Sequence, residues 1–514
     1  MPEDYEVTRR RGVVLGPAPP PFMEVVEYGL HEHTIDQEVR TLCNRHLFKT
    51  PEPQVKSRAW KGFCREMRAI SRRIGTVPRA TVNEVIGNRS SMKRKRFGQG
   101  MQRYCRFGVR RQDSFLTEMQ KLEFYAEDKI ESKEDRGIQF RSPTYNAALA
   151  RHLHNVEHRA YARLRNADGT PMIAKGRSPL ERGLLLDAMA RQYSEPMFLL
   201  MDHSRFDAHV NAQLLDEEHK LYLRCRNYNR ELQQLLKWQK SNIGFSHGGI
   251  VYKITAKRCS GDLNTGLGNS LINLALIRSY LAAIKSVNHH ILLDGDDSVV
   301  IMERRDVSGV EDHMLKCGMV TEASVVYDIQ EAEFCQSRVC YGSLGPVMVR
   351  NPHKVLDVLT KSPRVLDRVQ ARGVLAASAL GEVMQAPGVP VISTAASSLL
   401  TMASSVPRFT TPDAYERFMV YKTDRVVTTV DADMRSSFEA AWGITAQEQM
   451  AIEEFYSAMA PPTAEIPPIK PPKNVDPEQF DVYDDILISE IDFRQEDPWW
   501  CRDSAIGQIV LGSR

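Results

Sequence analysis

Apolar and polar positions follow two rhythms along this chain. Between about residues 126 and 345, short apolar runs such as "MFLLM" and "ILLD" alternate with longer stretches in which apolar residues recur every three or four positions, as in "SLINLALIRSYLAAI". Strand-length runs interleaved with helix-period segments predict a mixture of sheet and helix. From 346 to about 460 the helical spacing takes over, in "YERFMVYKTDRVV" and "SSFEAAWGITAQEQMAIEEFYSAM". The expected fold class is therefore α+β. The most apolar stretch, "GVLAASALGEVMQAPGVPVISTAASSLLTM" from Gly373, is broken by Glu382, Gln385, Pro387 and Pro390. It predicts packed helix and loop, and no run reaches the length of a membrane-spanning helix.

Punctuation divides the chain further. "GPAPPPF" near the start predicts an extended strap over residues 1–50, or a segment that binds a partner, and "APPTAEIPPIKPPKNVDPEQF" after Met459 predicts a linker. The resulting segments are 1–50, 51–195, 196–345, 346–460 and 461–514. A chain of 514 residues exceeds one ordinary core, in keeping with roughly three or four lobes of about 150 residues.

Charge sharpens the picture. The formal net charge is only +3, yet Lys56 to Arg111 holds 17 Lys and Arg against two Glu, with aromatic residues interleaved in "MKRKRFGQGMQRYCRFGVRR". That density suits a phosphate backbone, although a solvated helix face has the same composition. From Pro461 to Arg514 the balance reverses, with 11 Asp and Glu against five Lys and Arg. An acidic end of this kind could compete for the basic surface. The N-terminus "MPEDYEVTRRRG" lacks the apolar core of a secretory signal, and the nine cysteines contain no CxxC pair, so reduced thiols in a cytosolic setting are expected. Cys335 and Cys340 lack the partners that a zinc site needs.

The chemistry concentrates in "ILLDGDDSVVIM", residues 291–302, which sets Asp294, Asp296 and Asp297 between two apolar runs. Asp-Gly between β-formers is also an ordinary hairpin turn. Adjacent like charges at its mouth cost energy unless a cation offsets them. A second strand-like run, "MFLLMDHSRFDAHV", stops at Asp202 and places Asp207 where a helix begins, a position that also suits a cap. Asp202 and Asp296, assisted by Asp297, could hold two Mg2+ ions for phosphoryl transfer. Between these runs "SGDLNTGLGNS" offers Ser260, Thr265 and Asn269 on a glycine-rich loop fit to feel a ribose. Upstream, Lys133, Arg136 and Arg141 could meet a triphosphate, and downstream "EFCQSRVCYG" predicts a second short hairpin.

Taken together and in this order, the motifs resemble the RNA-dependent RNA polymerases of positive-strand RNA viruses, most closely those of tombusviruses and carmoviruses. More distantly they are similar to flavivirus-group polymerases such as that of hepatitis C virus. The resemblance rests on "DHSRFDAHV" (motif A), "SGDLNTGLGNS" (motif B), "DGDDSVV" (motif C), "KEDRGIQFRSP" (motif F) and "EFCQSRVCYG" (motif E), over about residues 125–345.

The resemblance implies a right-hand fold: fingers over 51–195 with the basic lobe and motif F, a palm over 196–345 with an inserted fingers segment around 225–255, and a helical thumb over 346–460. Residues 461–514 follow as linker and acidic tail. It implies that Asp202, Asp296 and Asp297 are the catalytic carboxylates and the ligands of two Mg2+ ions, for which Mn2+ can substitute. Asp207, Ser260, Thr265 and Asn269 would select the ribose 2′-hydroxyl. Lys133, Arg136 and Arg141 would hold the triphosphate, and Glu333, Phe334, Cys335 and Gln336 would lie in the hairpin that grips the growing end. Lys316 is the nearest candidate for a general acid, in a segment that does not align securely.

The implied partners are template and product RNA, ribonucleoside triphosphates, and a viral or host protein that recruits the chain to a membrane-associated replication complex in the host cytoplasm. A reverse transcriptase would usually show an aromatic before the paired aspartates and a bulky gate near the second acid of motif A; here Gly295 and Asp207 stand there. A non-catalytic RNA-binding protein would account for the basic segment and leave the acidic motifs without a role.

Overall fold

The computed structural model describes residues 13–23, 28–87, 91–363, 366–409, 418, 429–461 and 510–511. The helical pattern expected over 415–427 falls, save Phe418, outside these residues, as do the Pro-rich linker and nearly all of the acidic tail.

The first long helix, α1 (Arg58–Ile74), is capped by Ser57, whose hydroxyl accepts from the Trp60 amide, and buries Phe63, Met67, Ile70 and Ile74. The basic run forms α2 (Ser91–Phe107). Strands β1 (Leu116–Gln120) and β2 (Gly137–Phe140) precede α3 (Pro143–Arg163) and α4 (Pro179–Ala190). Then come β3 (Pro196–His203), α5 (Ala212–Cys225), β4 (Ser241–Ser246), β5 (Ile250–Thr255) and the apolar helix α6 (Thr265–Ala283). The Asp-rich turn joins β6 (His289–Asp294) to β7 (Asp297–Glu303), followed by α7 (Val310–Lys316), β8 (Thr321–Val326) and the hairpin β9 (Ser337–Gly342) and β10 (Gly345–Arg350).

Helices occupy the rest: α8 (Pro352–Leu359), α9 (Arg368–Gln385), α10 (Ile392–Ala403), α11 (Ala432–Trp442) and α12 (Ala446–Met459). The apolar stretch from Gly373 is thus packed helix, as its interruptions predict. No described helix is long and apolar enough to cross a membrane.

Two sheets organise the chain. The central one is antiparallel throughout, in the order β8-β3-β7-β6. Side chains alternate between its faces because the strand repeat is two residues. Met197, Leu199 and Met201 of β3, with Val300 and Met302 of β7, join the core built by α1 and α6. Phe198, Val299 and Ile301 point the other way, toward α4 and the β9–β10 hairpin.

The second sheet runs β5-β4-β1-β2, with β1 and β4 parallel, and Val510–Leu511 adds a short strand to its β5 edge. Near the N-terminus, Val13–Val14 pairs with Lys361–Ser362 and Tyr28–Gly29 with Tyr125–Ala126, so the proline-rich segment crosses from the C-terminal helices to the region beside β2.

Candidate active site

Strand parity brings the motif carboxylates together. Met201 pairs with Ser298, so Asp202 and Asp297 lie side by side on neighbouring strands, about 4.8 Å apart in backbone spacing. Both fall on the face shared by Phe198, Val299 and Ile301, and Asp296 sits on the turn between β6 and β7. Gly295 carries that turn with φ 71°.

Asp294 projects to the same face but is neutralised: Arg182 of α4 donates to it at 2.6 Å and Lys175 stands 3.6 Å away. Asp202, Asp296 and Asp297 have no ion-pair partner among the described residues. Desolvation, then the charges of Asp296, Asp294 and Asp202, push the Asp297 carboxyl up to about 6, against the pull of Arg182. A bound divalent cation would relieve this mutual repulsion. No three acidic, His or Cys side chains among the described residues form a ready-made metal cage. The three aspartates instead make an open, all-oxygen edge, where water and phosphate oxygens can complete the shell that Mg2+ prefers.

Helix α6 fixes the turn from behind. Asn273 Nδ2 donates to the carbonyls of Gly295 at 3.2 Å and Asp296 at 2.8 Å, and the Gly295 amide donates to Ser270 Oγ at 3.1 Å. Asn273 Oδ1 is 3.1 Å from His203 Nε2, and His203 Nδ1 is 2.8 Å from Thr321 Oγ1. With the Asn273 amide nitrogen already donating, its oxygen must accept, which assigns the His203 proton to Nε2. Burial holds His203 below its usual range and hence neutral. The turn therefore hangs on β3, β8 and α6 at once. Sequence reasoning missed Asn273, Ser270 and Arg182; the polar positions of an otherwise apolar helix were the available signal for the first two.

Asp207 and Asn269, expected to act together, are in contact: Asn269 Nδ2 donates to Asp207 Oδ1 at 2.8 Å. Asn269 Oδ1 accepts from Arg258 Nε at 2.9 Å, and Arg258 forms a fully buried ion pair with Glu218 of α5. The pair thus dictates which way the Asn269 amide points. Burial raises the Asp207 carboxyl above its ordinary value, opposed by the Asn269 amide and the Arg258 charge.

Gly268 makes room for this arrangement, since a Cβ there would collide with Glu218 Oε1 and Arg258 Nη2. Gly268→Ala is expected to destabilise the chain by about 2–4 kcal/mol, because it disrupts a buried ion pair that cannot relax into water. Chemical denaturation measures this; an unchanged midpoint would mean the pair accommodates the methyl group.

The other expected site residues divide. Ser260 Oγ donates to the Gly137 carbonyl at 2.8 Å, and Thr265 Oγ1 to the carbonyls of Cys259 and Asp262, each at 2.9 Å. Ser260 therefore holds the glycine-rich loop against β2, and Thr265 ties the loop to itself. Lys133 and Arg136 are exposed. Arg136 stands 3.7 Å from Glu123, and its charge also reaches Asp207.

Arg141 corrects the expectation of a triphosphate ligand. It is 1 % exposed, paired with Asp262 at 2.6 Å, and donates to Ser114 O and Asn242 Oδ1. A guanidinium satisfied on every side by protein is a structural tie between β2 and the loop before α6. Lys316, expected as a candidate general acid, pairs with Asp312 on its own helix and faces a cavity walled by α1 and the far end of α6.

Glu333 to Gln336 form a tight two-residue turn. Phe334 and Ser337 exchange backbone hydrogen bonds at 2.9 and 3.1 Å, with Cys335 at φ 52° and Gln336 at φ 58°. Consecutive left-handed residues fit a type I′ turn, yet neither is Gly or Asn, so the turn carries strain that its surroundings must hold. Arg182 Nη1 donates to Cys335 Sγ at 3.2 Å, and Lys354 Nζ to Gln336 Oε1 at 3.0 Å. Phe334 is buried, and Glu333 is exposed.

With this geometry in place, comparison with known proteins is informative. A family model described as viral RNA dependent RNA polymerase matches residues 21–463. The chain is 30% identical over 451 residues to the RNA-directed RNA polymerase of Carnation mottle virus, covering 83% of this chain and 58% of that protein. It is 28% identical over 455 residues to that of Tomato bushy stunt virus (strain Cherry), covering 83% and 54%. It is 32% identical over 334 residues to that of Tobacco necrosis virus (strain A), covering 62% and 46%. The chain spans about half the length of the curated relatives it matches.

Proposed function

The chain belongs to the viral RNA-dependent RNA polymerase family, and from that premise we propose that it copies an RNA template, joining ribonucleotides to an RNA 3′ end in replication of a positive-strand genome. The 3′-hydroxyl attacks the α-phosphate of a ribonucleoside triphosphate, the new phosphodiester forms, and pyrophosphate leaves. The observation that carries this reading is the alignment of Asp202 and Asp297 on one sheet face, with Asp296 at the adjoining turn and no protein cation paired to any of them among the described residues.

Asp202, Asp296 and Asp297 would hold two Mg2+ ions, or Mn2+ in their place. When bound, these ions supply an acidified hydroxyl and neutralise the leaving charge. The protein's own part is positional: α6 and β8 hold the turn, and the Asp207–Asn269 pair is available to hydrogen-bond a ribose 2′-hydroxyl. Lys133 and Arg136 are exposed to meet the triphosphate, and the strained hairpin at Glu333–Gln336 supports the growing end. In the layout of a right hand, fingers, palm and thumb would take residues 51–195, 196–345 and 346–460. The setting would be a membrane-associated complex in host cytoplasm, reached through a recruiting protein.

Incorporation of labelled ribonucleotide on short RNA templates of differing sequence tests the reading. Product complementary to each template is expected; product whose composition ignores the template would overturn it. In the same assay Asn269→Ala should lower discrimination between ribo- and deoxyribonucleotides about ten-fold or more while leaving RNA affinity nearly unchanged, since it removes one polar contact to the sugar. Unaltered selectivity would remove Asn269 from that role.

A further inference from the structure

Helix α1 carries a second periodicity on the face its apolar residues leave free. Arg58, Lys61, Arg65, Arg68 and Arg72 recur at intervals of three, four, three and four, and all five are exposed. At a rise of 1.5 Å per residue they form a line about 21 Å long with steps of about 5 Å. Arg58, Lys61 and Arg65 also line a cavity of about 730 Å³, the opposite walls of which are the C-terminal end of α6 and α7 with His313 and Lys316.

The charge is largely uncompensated. Arg65 stands 3.8 Å from Glu66, which Arg278 engages more closely at 2.9 Å, and Lys316 pairs with Asp312. Arg58, Lys61, Arg68 and Arg72 have no carboxylate partner among the described residues. This cavity is not the carboxylate groove: its first α6 residue, Ser279, lies about 9 Å further along the helix axis than Asn273, which clamps the Asp-rich turn.

We propose that the outer face of α1 and this cavity bind the phosphate backbone of RNA outside the catalytic groove, as a track for template or product strand. A line of flexible cations at steps of about 5 Å lets successive side chains reach successive phosphates of one strand. The concave form, with Arg58, Lys61 and Arg65 along one wall, suits a strand better than a flat bilayer, and on the facing wall Lys316 is held by Asp312. That the anion is RNA rests on the polymerase reading; the charge geometry does not.

The test uses the full chain without nucleotides. Binding of a fluorescent single-stranded RNA is followed by anisotropy across a salt series, for wild type and for Lys61→Gln/Arg65→Gln/Arg68→Gln. The variant should bind about ten-fold more weakly at low salt, and its salt slope should fall by about 2, three phosphate contacts having been lost. Arg65→Lys/Arg68→Lys should restore both, and elongation of a short self-priming hairpin, which occupies only the catalytic groove, should be unaffected. Unchanged affinity and slope in the Gln variant would overturn the proposal. So would unchanged RNA binding with loss of binding to phosphatidylserine-containing vesicles, which would make the face a lipid surface. Failure of the polymerase reading would appear separately, as a wild type that binds RNA and makes no templated product.

Discussion

Asp296→Asn will lower templated nucleotide incorporation by at least about 10³-fold, a loss of about 4 kcal/mol of transition-state stabilisation, without unfolding the chain. The expectation follows from what the substitution leaves intact. Asn matches Asp in size, and what α6 grips at this turn is backbone: Asn273 donates to the carbonyls of Gly295 and Asp296, and Ser270 accepts from the Gly295 amide. None of these bonds needs the carboxylate. What disappears is one negative charge beside Asp297, whose own carboxyl the crowding already pushes up to about 6.

The thermal midpoint measured without divalent ions should therefore stay the same or rise, while Mn2+ binding, followed by titration calorimetry, weakens. Asp202→Asn should behave alike, since strand pairing places it beside Asp297. Asp294→Asn offers the contrast. Its partner is Arg182, which also reaches Cys335, so this change should lower the midpoint by removing the carboxylate charge that faces a guanidinium only 9 % exposed. Equal incorporation by wild type and Asp296→Asn would remove the metal assignment from this turn.

The contrast between these aspartates shows where the sequence was legible. Asp202, Asp296 and Asp297 could be found because a carboxylate ending an apolar strand run is a local pattern, and parity then forces the neighbours onto one face. The contact between Asp207 and Asn269 was foreseeable only through the resemblance, which groups them. That Asp294 is neutralised was hidden, because Arg182 lies 112 residues away and reads as one more basic residue on an amphipathic helix.

Arg141 misled for the complementary reason. Beside Lys133 and Arg136 it looks like a third phosphate ligand, yet it sits in the strand-to-helix junction where Asp262 comes to meet it. Burial decides between the two roles, and no local spacing reports it. The turn at Cys335 and Gln336 shows a third kind of gap, a type I′ geometry without Gly or Asn at either position, held by Arg182 and Lys354 from elsewhere in the chain.

Strand β1 violates its own pattern most plainly, and it yields the second large effect: Glu118→Gln should raise thermal stability at neutral pH, by several degrees. In "LTEMQ" the inward positions are Leu116, Glu118 and Gln120, so a carboxyl and an amide occupy the buried face of the sheet. Among the described residues both Glu118 oxygens lack a hydrogen-bond partner, as do Gln120 Oε1, Gln139 Oε1, Asp135 Oδ2 and His46 Nε2 around it. Glu118 Oε1 and His46 Nε2 converge over Gly137, where an added Cβ would lie 2.9 Å from the first and collide with the second.

Burial, then the charges of Glu38 and Asp135, raise the Glu118 carboxyl well above its usual value, so the folded chain keeps this proton. The surrounding charges are otherwise tied up: Glu38 with His33, Asp135 with His31, and Arg45 with Glu134. A carboxyl raised on folding contributes no penalty below its unfolded value near pH 4.5. As pH rises above that, the unfolded chain loses the proton that the folded chain retains, and stability falls by up to about 1.4 kcal/mol per pH unit. The amide introduced by Glu118→Gln would have no proton to lose, and it could still donate to a neighbouring acceptor. Melting curves of both proteins should therefore coincide near pH 4.5 and separate as pH rises above it, with the variant higher. A variant no more stable than wild type at every pH would mean that Glu118 is ionised and solvated within the fold.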